Sequence, residues 1–172
     1  PNLPIMKNLL FVIVSFLVFG YATQAQQSKV QSAYMYHFTK YMEWPSAKQS
    51  GDFVIAVVGN SDIHPYLKTL AATKTVGAQK IVIKEYTSVA QVTDCHMIFV
   101  AASNSHEVMT ANAKAARYQA LVITEKKGLA KKGASLSFVM VGGKAKFEVN
   151  ESSINKNGIK VSAKLIQMGI SV

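Results

Sequence analysis

Residues Phe53–Gly59 read FVIAVVG, an uninterrupted apolar run that is rich in β-branched side chains and stops at a glycine. A strand with one face in water alternates between apolar and polar residues, whereas a continuous apolar run is typical of a strand buried on both faces. Such strands belong to parallel sheets that carry helices on both sides. The run therefore predicts a central strand of an α/β sheet.

The chain that follows alternates between strand patterns and helix patterns. Further strands are predicted at Lys80–Tyr86, Cys95–Ala101 and Ala120–Thr124. Helical segments are predicted between them, at His64–Thr73, Ser88–Val92 and Ser105–Tyr118. Because helices that connect neighbouring strands make right-handed crossovers, this alternation indicates a mostly parallel sheet.

The C-terminal part of the chain changes character. Two alternating runs flank the pair Gly142-Gly143, which is the pattern of a β-hairpin: Ala134–Val141 and Lys144–Val149. Short helices are predicted after it, at Asn150–Asn157 and Val161–Met168. We therefore expect a three-layer α/β sandwich, with a mostly parallel sheet, helices on both faces and a C-terminal antiparallel hairpin.

Lys29–Trp44, the segment before the central strand, is aromatic and has helical spacing. At about 100° per residue, one broad arc of this helix carries Val30, Ala33, Tyr34, His37, Phe38, Tyr41 and Trp44. We expect that arc to pack against the sheet and Pro45 to end the helix, since the residue before a proline avoids helical geometry. His37 lies in the middle of the arc, which predicts a hydrogen-bonded core histidine.

Four residues at or beside the margin of that arc are candidates for contact with a partner: Tyr36, Lys40, Glu43 and Trp44. Tyrosine and tryptophan are among the residues that dominate the binding energy of protein interfaces, and the two charged side chains lie close to them. The alternative for Tyr36 and Trp44 is ordinary packing at the edge of an amphipathic helix.

The first residues have the pattern of an export signal. Met6–Asn8 supplies a basic start, Leu9–Phe19 is an apolar run, and small residues follow as far as Ala25. A retained membrane anchor is the alternative, but the run is shorter than the about 20 residues that a span needs. We therefore expect cleavage after Ala25, with residues 1–25 as upstream residues plus signal peptide and residues 26–172 as a single α/β domain.

The chain is strongly basic, and its positive charge comes from lysine. The formal net charge is +10, and Arg117 is the only arginine among 19 basic residues. Nucleic-acid-binding proteins depend on the planar fork of arginine to recognise bases and phosphates. The composition therefore argues against a nucleic-acid partner and favours an anionic membrane surface, an acidic partner or simple solubility.

Common catalytic and metal-binding motifs are absent or incomplete. The sequence contains no G-x-S-x-G, no G-x-x-x-x-G-K-[ST] and no H-E-x-x-H. Ser153–Lys156 fits S-x-x-K but lacks the S-D-N and K-T-G companions of that hydrolase site. Cys95, the only cysteine, adjoins an apolar run and is predicted to be an inert buried thiol. We expect no catalytic residues, no metal and no cofactor, and therefore no enzyme.

Two polar loops follow predicted strands. Asn60 and Ser61 come after the first strand, and Ser103 and Asn104 come after the third. In open α/β sheets, ligands bind beyond the carboxyl ends of the strands, at the point where the strand order reverses. With a strand order of 2-1-3-4, the two loops would flank that crevice and could bind a small ligand. The alternative is that these residues only cap helices and form turns.

Residues 29–45, KVQSAYMYHFTKYMEWP, resemble the opening signature of the YfiR-like family of small exported bacterial proteins. The family's typical helix reads Y-N-F-x-K-x-x-E-W-P, and six positions match it here: Tyr36, Phe38, Lys40, Glu43, Trp44 and Pro45. His37 stands where the family usually has asparagine. The resemblance continues in order through FVIAVVGNSDIHPYL, CHMIFVAASNS and the tail from Gly128, so it covers essentially the whole chain after the leader.

This resemblance implies a periplasmic regulator without catalytic activity. The best-known relative is a dimeric α/β repressor that acts on the outer part of an inner-membrane diguanylate cyclase, in cyclic di-GMP signalling, and is sequestered by an outer-membrane lipoprotein. We therefore expect a homodimer that controls an inner-membrane sensor or cyclase by protein–protein interaction, with an outer-membrane lipoprotein as a second partner. The alternative function is a periplasmic small-ligand-binding domain that uses the two polar loops.

Overall fold

The computed structural model describes residues 24–172. The predicted signal peptide lies outside this range as far as residue 23, whereas the predicted cleavage point, Ala25, falls within the first described helix. The helices are α1 (24–41), α2 (His64–Thr73), α3 (Val108–Tyr118), α4 (Glu151–Lys156) and α5 (Ala163–Met168). Short 3-10 helices lie at Ser46–Lys48, Val89–Gln91, Ala102–Glu107 and Ala130–Lys132.

The strands of this part are β1 (Met42–Glu43), β2 (Phe53–Val58), β3 (Thr75–Val76), β4 (Gln79–Tyr86), β5 (Met97–Val100), β6 (Leu121–Thr124), β7 (Leu136–Val141), β8 (Lys144–Val149), β9 (Lys160–Val161) and β10 (Ile170–Ser171). Eight of them form one sheet in the order β10-β8-β7-β6-β5-β2-β4-β3. β1 and β9 form a separate antiparallel ribbon.

The pairing within the sheet is mostly parallel, as predicted. β2 pairs in parallel with β4 on one side and with β5 on the other, and β6 and β7 continue the parallel arrangement. β8 is antiparallel to β7 and forms the C-terminal hairpin. The four predicted α/β strands therefore lie in the order 2-1-3-4, the order in which the two polar loops flank one crevice.

Both faces of the sheet are covered, and the unbroken apolar sequence of β2 follows from this arrangement. Ile55 and Val57 belong to a core on the side of α1 and α2, whereas Ala56 and Val58 belong to a second core on the side of α3. Alternate side chains leave a strand on opposite faces, so a strand between two helical layers is apolar at every position. The three-layer prediction is confirmed.

The C-terminal hairpin turns at two glycines. Gly142 and Gly143 have backbone φ angles of 57° and 74°. A two-residue turn of this type needs left-handed geometry at both positions, which glycine adopts without a steric penalty. β7 and β8 are consequently paired along their full length, from Leu136 with Val149 to Val141 with Lys144.

The buried face of α1 differs from the predicted arc. His37 is exposed, so the prediction of a core histidine is wrong. The buried stripe instead holds Ser28, Gln31, Ser32, Met35, Phe38 and Thr39. Ser32 donates its hydroxyl to the Lys29 carbonyl at 2.8 Å, and Thr39 donates to the Tyr36 carbonyl at 2.7 Å. Because these hydroxyls are satisfied by their own helix, they can face the core at little cost.

The end of α1 also differs from the prediction. The helix stops at Tyr41, and the next two residues extend as β1, where Met42 pairs with Val161 and Glu43 with Lys160. Trp44 follows β1 and is only 5% exposed, with its ring edge-on against Phe53 in the core. The expectation that Trp44 is available to a partner is therefore wrong, because its side chain is committed to the sheet.

Candidate functional site

A crevice lies at the carboxyl ends of three neighbouring strands, β4, β2 and β5. It has a volume of about 650 Å³ and is lined by Gly59, Asn60, His64, Glu85, Tyr86, Thr87, Gln91, Ser103 and Asn104. The chain passes from β2 to α2 on one face of the sheet and from β5 to α3 on the other. This divergence opens the gap that the strand order predicts. We call this site the strand-end crevice.

Gly59 lets the two polar loops approach each other at the base of the crevice. Its backbone φ is 88°, in the region that favours glycine. A Cβ atom at this position would lie 2.1 Å from Asn104 Oδ1 and 3.0 Å from Ser103 Oγ. The glycine therefore supplies both the turn after β2 and the space that Asn104 occupies.

Asn104 is held by a set of short hydrogen bonds. Its Nδ2 donates to the Thr87 carbonyl at 3.0 Å and to Glu107 Oε1 at 2.7 Å, and its Oδ1 accepts the Ser103 hydroxyl at 2.8 Å. Asn104 thus links the loop after β5 to the end of β4. Its amide is a fixed wall of the crevice.

Glu107 anchors the opposite side of this network. Its Oε2 accepts the Ser88 hydroxyl at 2.6 Å and the Val89 N–H at 2.9 Å. Burial by itself raises the pKa of the Glu107 carboxyl, but the hydrogen bonds from Ser88, Asn104 and Val89 favour the charged form and leave its pKa lowered. Glu107 is therefore a carboxylate that orders the loops.

Ser61 lies beside the crevice and does not line it. Its hydroxyl donates to Glu125 Oε1 at 2.8 Å and accepts the Ile63 N–H at 3.3 Å. The second oxygen of Glu125 accepts the Ala102 N–H at 2.8 Å. Of the four predicted ligand-binding residues, the structure thus brings Asn60, Ser103 and Asn104 together, and it uses Ser61 to brace both loops.

A group of three polar side chains that the sequence analysis did not single out, His64, Lys68 and Glu85, lies at one end of the crevice. His64 Nε2 lies 3.1 Å from the Gly59 carbonyl and, as a protonated nitrogen, donates to it. His64 Nδ1 is 3.3 Å from Glu85 Oε1, and Lys68 Nζ is 2.7 Å from the same oxygen. The Lys68 hydrogen bond is the main reason that the pKa of Glu85 is lowered. The sequence held no signal for this cluster, because Glu85 lies on β4, far along the chain from His64 and Lys68 on α2.

A second candidate surface is a shallow groove of about 280 Å³ between α1 and α2, which we call the helix groove. Its lining includes Lys29, Ala33, Tyr36, His37, Tyr66, Thr73 and Lys74. The Tyr36 hydroxyl is 3.5 Å from the Thr75 carbonyl, and Lys40 Nζ lies 4.8 Å from the centre of the Tyr36 ring. The groove therefore presents aromatic side chains with lysines around them.

The predicted partner residues are distributed unevenly around this groove. Tyr36 lines it and is half-buried, and Lys40 lies exposed above the Tyr36 ring. Glu43 is exposed on the β1–β9 ribbon, where its carboxylate is 3.3 Å from Lys160 Nζ. Exposed His37, which the helical-arc argument had assigned to the core, also lines the groove. Tyr36, His37 and Lys40 are thus the residues of the aromatic segment that are accessible at the helix groove.

Two residues that could suggest catalysis, Ser153 and Cys95, are not arranged for it. Ser153 of the S-x-x-K match donates its hydroxyl to the Gly133 carbonyl at 2.6 Å. Burial raises the pKa of Cys95 to about 12, so its thiol is protonated and unreactive. Within residues 24–172, no three His, Cys, Asp or Glu side chains are grouped so that they could hold a metal ion.

None of the helices between residues 24 and 172 has both the length and the apolar character needed to cross a membrane. This finding concerns the described part of the chain alone.

Comparisons with known proteins find one family and one similar solved structure. A family model described as YfiR/HmsC-like matches residues 28–169. Among solved structures, a conserved domain protein from Vibrio cholerae O1 biovar El Tor is similar, with 14% sequence identity and a TM-score of 0.48. The similarity covers 69% of this chain and 54% of that protein, so the chain spans about half of its length. No curated protein matches the chain.

Proposed function

Because the chain belongs to the YfiR/HmsC-like family, whose members are periplasmic regulators of cyclic di-GMP signalling, we propose that it controls a membrane signalling protein by direct contact. The partner is an inner-membrane sensor, either a diguanylate cyclase or a sensor of another type. The family match over residues 28–169 carries this proposal. Family members are regulators rather than enzymes, so the expected action is binding.

The helix groove is the surface that we assign to this contact. Tyr36, His37 and Tyr66 offer aromatic and imidazole rings, and Lys29 and Lys74 add positive charge within the same groove. Tyrosine is enriched among the residues that dominate interface energies, and complementary charge speeds association and selects the partner. An aromatic groove lined with lysines is suited to an acidic segment of the sensor that carries an apolar side chain.

The mechanism is a shift of population between two states of the sensor. A protein that binds one state more tightly than the other draws the equilibrium toward that state, and the shift is limited by the difference in affinity. In this proposal the regulator needs no chemistry of its own. It needs a rigid contact surface, which α1 has because the helix packs on the central sheet.

The proposal has three finer parts. The homodimer and the release from the sensor by an outer-membrane lipoprotein rest on the resemblance to the best-known relative, whereas entry into the periplasm after cleavage behind Ala25 rests on the export-signal pattern of the first residues. Each part has its own test: the mass of the exported protein in solution, crosslinking to outer-membrane proteins, and sequencing of its N-terminus.

Site-specific crosslinking tests the proposed contact. A photoreactive residue in place of His37, on the exposed face of α1, should capture an inner-membrane sensor in intact cells. The matched control places the same residue at Met109, which is 65% exposed on α3 on the other side of the sheet. Capture from both positions, or from neither, would count against a contact through the helix groove.

A second candidate function is binding of a small ligand in the strand-end crevice. The observation that favours it is the strand order β4-β2-β5, which puts Asn60, Ser103 and Asn104 around one cavity at the point where the order reverses. The two functions are compatible, because a ligand in the crevice could bias the partner surface.

A thermal-shift screen of small polar metabolites tests this candidate. A ligand at about 100 times its Kd should stabilise the fold by about 2.7 kcal/mol. Ser103→Ala should remove the shift, because it loses a hydroxyl from the crevice wall. Ser152→Ala, at an exposed position on α4, is the matched control and should keep the shift. A screen without any stabilising compound would remove support for ligand binding.

A further inference from the structure

The tip of the β7–β8 hairpin exposes apolar side chains on both of its faces. Met140 is 46% exposed and Val141 is 41% exposed. Neighbouring residues of a strand point to opposite faces, so the two side chains project in opposite directions. The turn that follows consists of Gly142 and Gly143, which add no polar side chain. We call residues Met140–Lys144 the hairpin tip.

The two glycines are ordinary residues for a two-residue hairpin turn, so the turn itself needs no further explanation. The adjacent Met140 and Val141 do, because exposed positions of a strand are normally polar. The rest of β7 is buried, with Phe138 at 2% and Val139 at 7% exposure. Burial therefore explains the apolar residues at the base of the strand, but it does not explain those at its end.

Four lysines lie on or beside one face of the hairpin. The strand register places Lys144 opposite Val141 and Lys146 opposite Val139, so both lysines share the face of Val141. The loop that carries the exposed Lys126 and Lys127 is held beside this face, since the Gly128 N–H donates to Glu148 Oε2 at 2.8 Å. Glu148, the carboxylate on the same strand, is 7% exposed. The accessible charge on this face is therefore positive.

On the other face, the apolar surface of the tip continues onto α1. Met140 and Ala145 line an open groove together with Val30 and Tyr34 of that helix. The Tyr34 hydroxyl lies 3.4 Å from the Ala145 carbonyl, which fixes the helix against the hairpin. The tip is therefore the projecting end of a larger apolar surface with a rigid support.

We propose that the hairpin tip is a docking surface for an anionic lipid bilayer. Met140 and Val141 enter the interface between headgroups and acyl chains, while Lys126, Lys127, Lys144 and Lys146 attract the anionic headgroups. Lysine is a compact point charge without the planar fork of arginine, so this cluster suits a diffuse layer of negative charge. The proposal does not rest on the regulatory function, although it would hold the protein at the surface where a membrane partner lies.

Vesicle binding tests the proposal directly. The exported form of the protein should co-sediment with vesicles of phosphatidylcholine mixed with phosphatidylglycerol, and only weakly with vesicles of phosphatidylcholine alone. Replacement of both tip residues (Met140→Ser with Val141→Ser) should reduce the partition coefficient by at least about tenfold, because each buried apolar side chain contributes to partitioning. Lys144→Gln with Lys146→Gln should reduce it by about fivefold per lysine.

Matched variants separate this surface from general adsorption of a basic protein. Met109→Ser removes another exposed methionine, and Lys80→Gln with Lys84→Gln removes two exposed lysines from β4, in the other half of the sheet. Both controls should bind anionic vesicles as the parent protein does. Equal losses in the control and tip variants would overturn the proposal, since binding would then follow net charge alone.

A fluorescent probe gives a second readout. The native Trp44 is buried, so vesicles should not change its emission. A change in the emission of Met140→Trp on adding vesicles therefore comes from the tryptophan at the tip. A blue shift with anionic vesicles, absent for Met109→Trp, is the expected result. Emission that stays at the wavelength of an exposed indole would overturn the proposal.

Sedimentation without vesicles measures the oligomeric state and so tests whether a second copy of the chain occupies the tip. If the parent protein is a dimer and the tip variants are monomers, the tip belongs to the dimer interface and the lipid proposal is overturned.

Discussion

The indole N–H of Trp44 donates a hydrogen bond to the main-chain carbonyl of His96, at 3.3 Å. Trp44 follows α1 and β1, whereas His96 directly precedes β5 in the middle of the sheet. The same indole ring meets the Phe53 ring edge-on, with centroids 4.9 Å apart. These contacts tie the segment that carries the helix groove to two central strands, so the proposed partner surface is rigid where α1 ends.

We expect substitutions of Trp44 to act on stability. Trp44→Phe keeps an aromatic ring and removes the indole N–H, while the His96 carbonyl still accepts the Leu121 N–H at 2.9 Å, so the free energy of unfolding should fall by about 0.5–1.5 kcal/mol. Trp44→Ala should lower it by about 3–5 kcal/mol, because a large core side chain is lost. Urea unfolding followed by circular dichroism measures both, since either change removes the only tryptophan.

Tyr36→Phe is the matched control for this series. The Tyr36 hydroxyl is 3.5 Å from the Thr75 carbonyl in an exposed position, so its removal should change the free energy of unfolding by less than about 0.5 kcal/mol. A Trp44→Ala protein as stable as the parent would show that Trp44 is not part of the core.

His96 should make the stability fall in mild acid. Its Nδ1 accepts the Val54 N–H at 3.1 Å, and its Nε2–H donates to the Lys48 carbonyl at 2.8 Å, so the folded ring is neutral. Burial lowers the pKa of His96 below its ordinary value of 6.5. Between that ordinary value and the lower folded value, the unfolded chain binds a proton that the folded chain does not. The contribution is therefore fully present above about pH 6.5 and is lost as the pH falls.

Chemical unfolding at pH 7.5 and pH 5.5 measures this effect, with His106→Asn as the control at an exposed position. His96→Asn should be less stable than the parent at the higher pH, because both ring hydrogen bonds change. Its stability should also depend less on pH between the two values, whereas that of His106→Asn should keep the slope of the parent. Equal slopes in all three proteins would contradict a neutral His96.

The central sheet could be predicted from the sequence, but the orientation of α1 could not. β2 is apolar at every position because both faces are covered, so burial is recorded directly in its residue types. On α1 the hydroxyls of Ser32 and Thr39 bond to carbonyls of their own helix and turn toward the core. Hydrophobic periodicity counts these residues as polar, so it rotates the predicted buried face away from the observed one.

The strand-end crevice was predictable in place but not in detail. Strand order and polar loops indicated Asn60, Ser103 and Asn104, because the rule for open α/β sheets depends only on topology. The bonds that shape the site join residues far apart in the chain, such as Ser61 with Glu125 and Ser88 with Glu107. No spacing pattern within one sequence specifies those partners.

Gly59→Ala should be more damaging than an alanine at another glycine of similar backbone geometry. The new Cβ would lie 2.1 Å from Asn104 Oδ1, in addition to the strain of a φ of 88°. Gly51 is the matched control, since its φ is 73° and a Cβ there meets nothing within 4 Å. We expect about 1 kcal/mol of destabilisation from the backbone strain in Gly51→Ala and clearly more in Gly59→Ala.

A double variant separates the clash from the strain. Asn104→Ala removes the atom that the new Cβ would meet, so Gly59→Ala with Asn104→Ala should be less destabilised than the sum of the two single changes. Urea unfolding of the parent, the two single variants and the double variant gives the four free energies of unfolding that this comparison needs. Additive losses would show that the loops do not depend on this close approach.

Substitutions in the helix groove should weaken capture of the sensor without changing the fold. Tyr36→Ala removes a ring of the kind that dominates interfaces, and an effect of at least about 2 kcal/mol corresponds to binding about 30-fold weaker. Lys40→Glu reverses an exposed charge and should slow association, most strongly at low salt. Arg117→Glu, an exposed charge reversal on α3 on the other face of the sheet, should leave capture unchanged.

Titration of detergent-solubilised sensor against the immobilised proteins measures the affinities, and circular dichroism checks that each variant is folded. Equal losses for Lys40→Glu and Arg117→Glu would mean that net charge, and not this groove, governs the interaction.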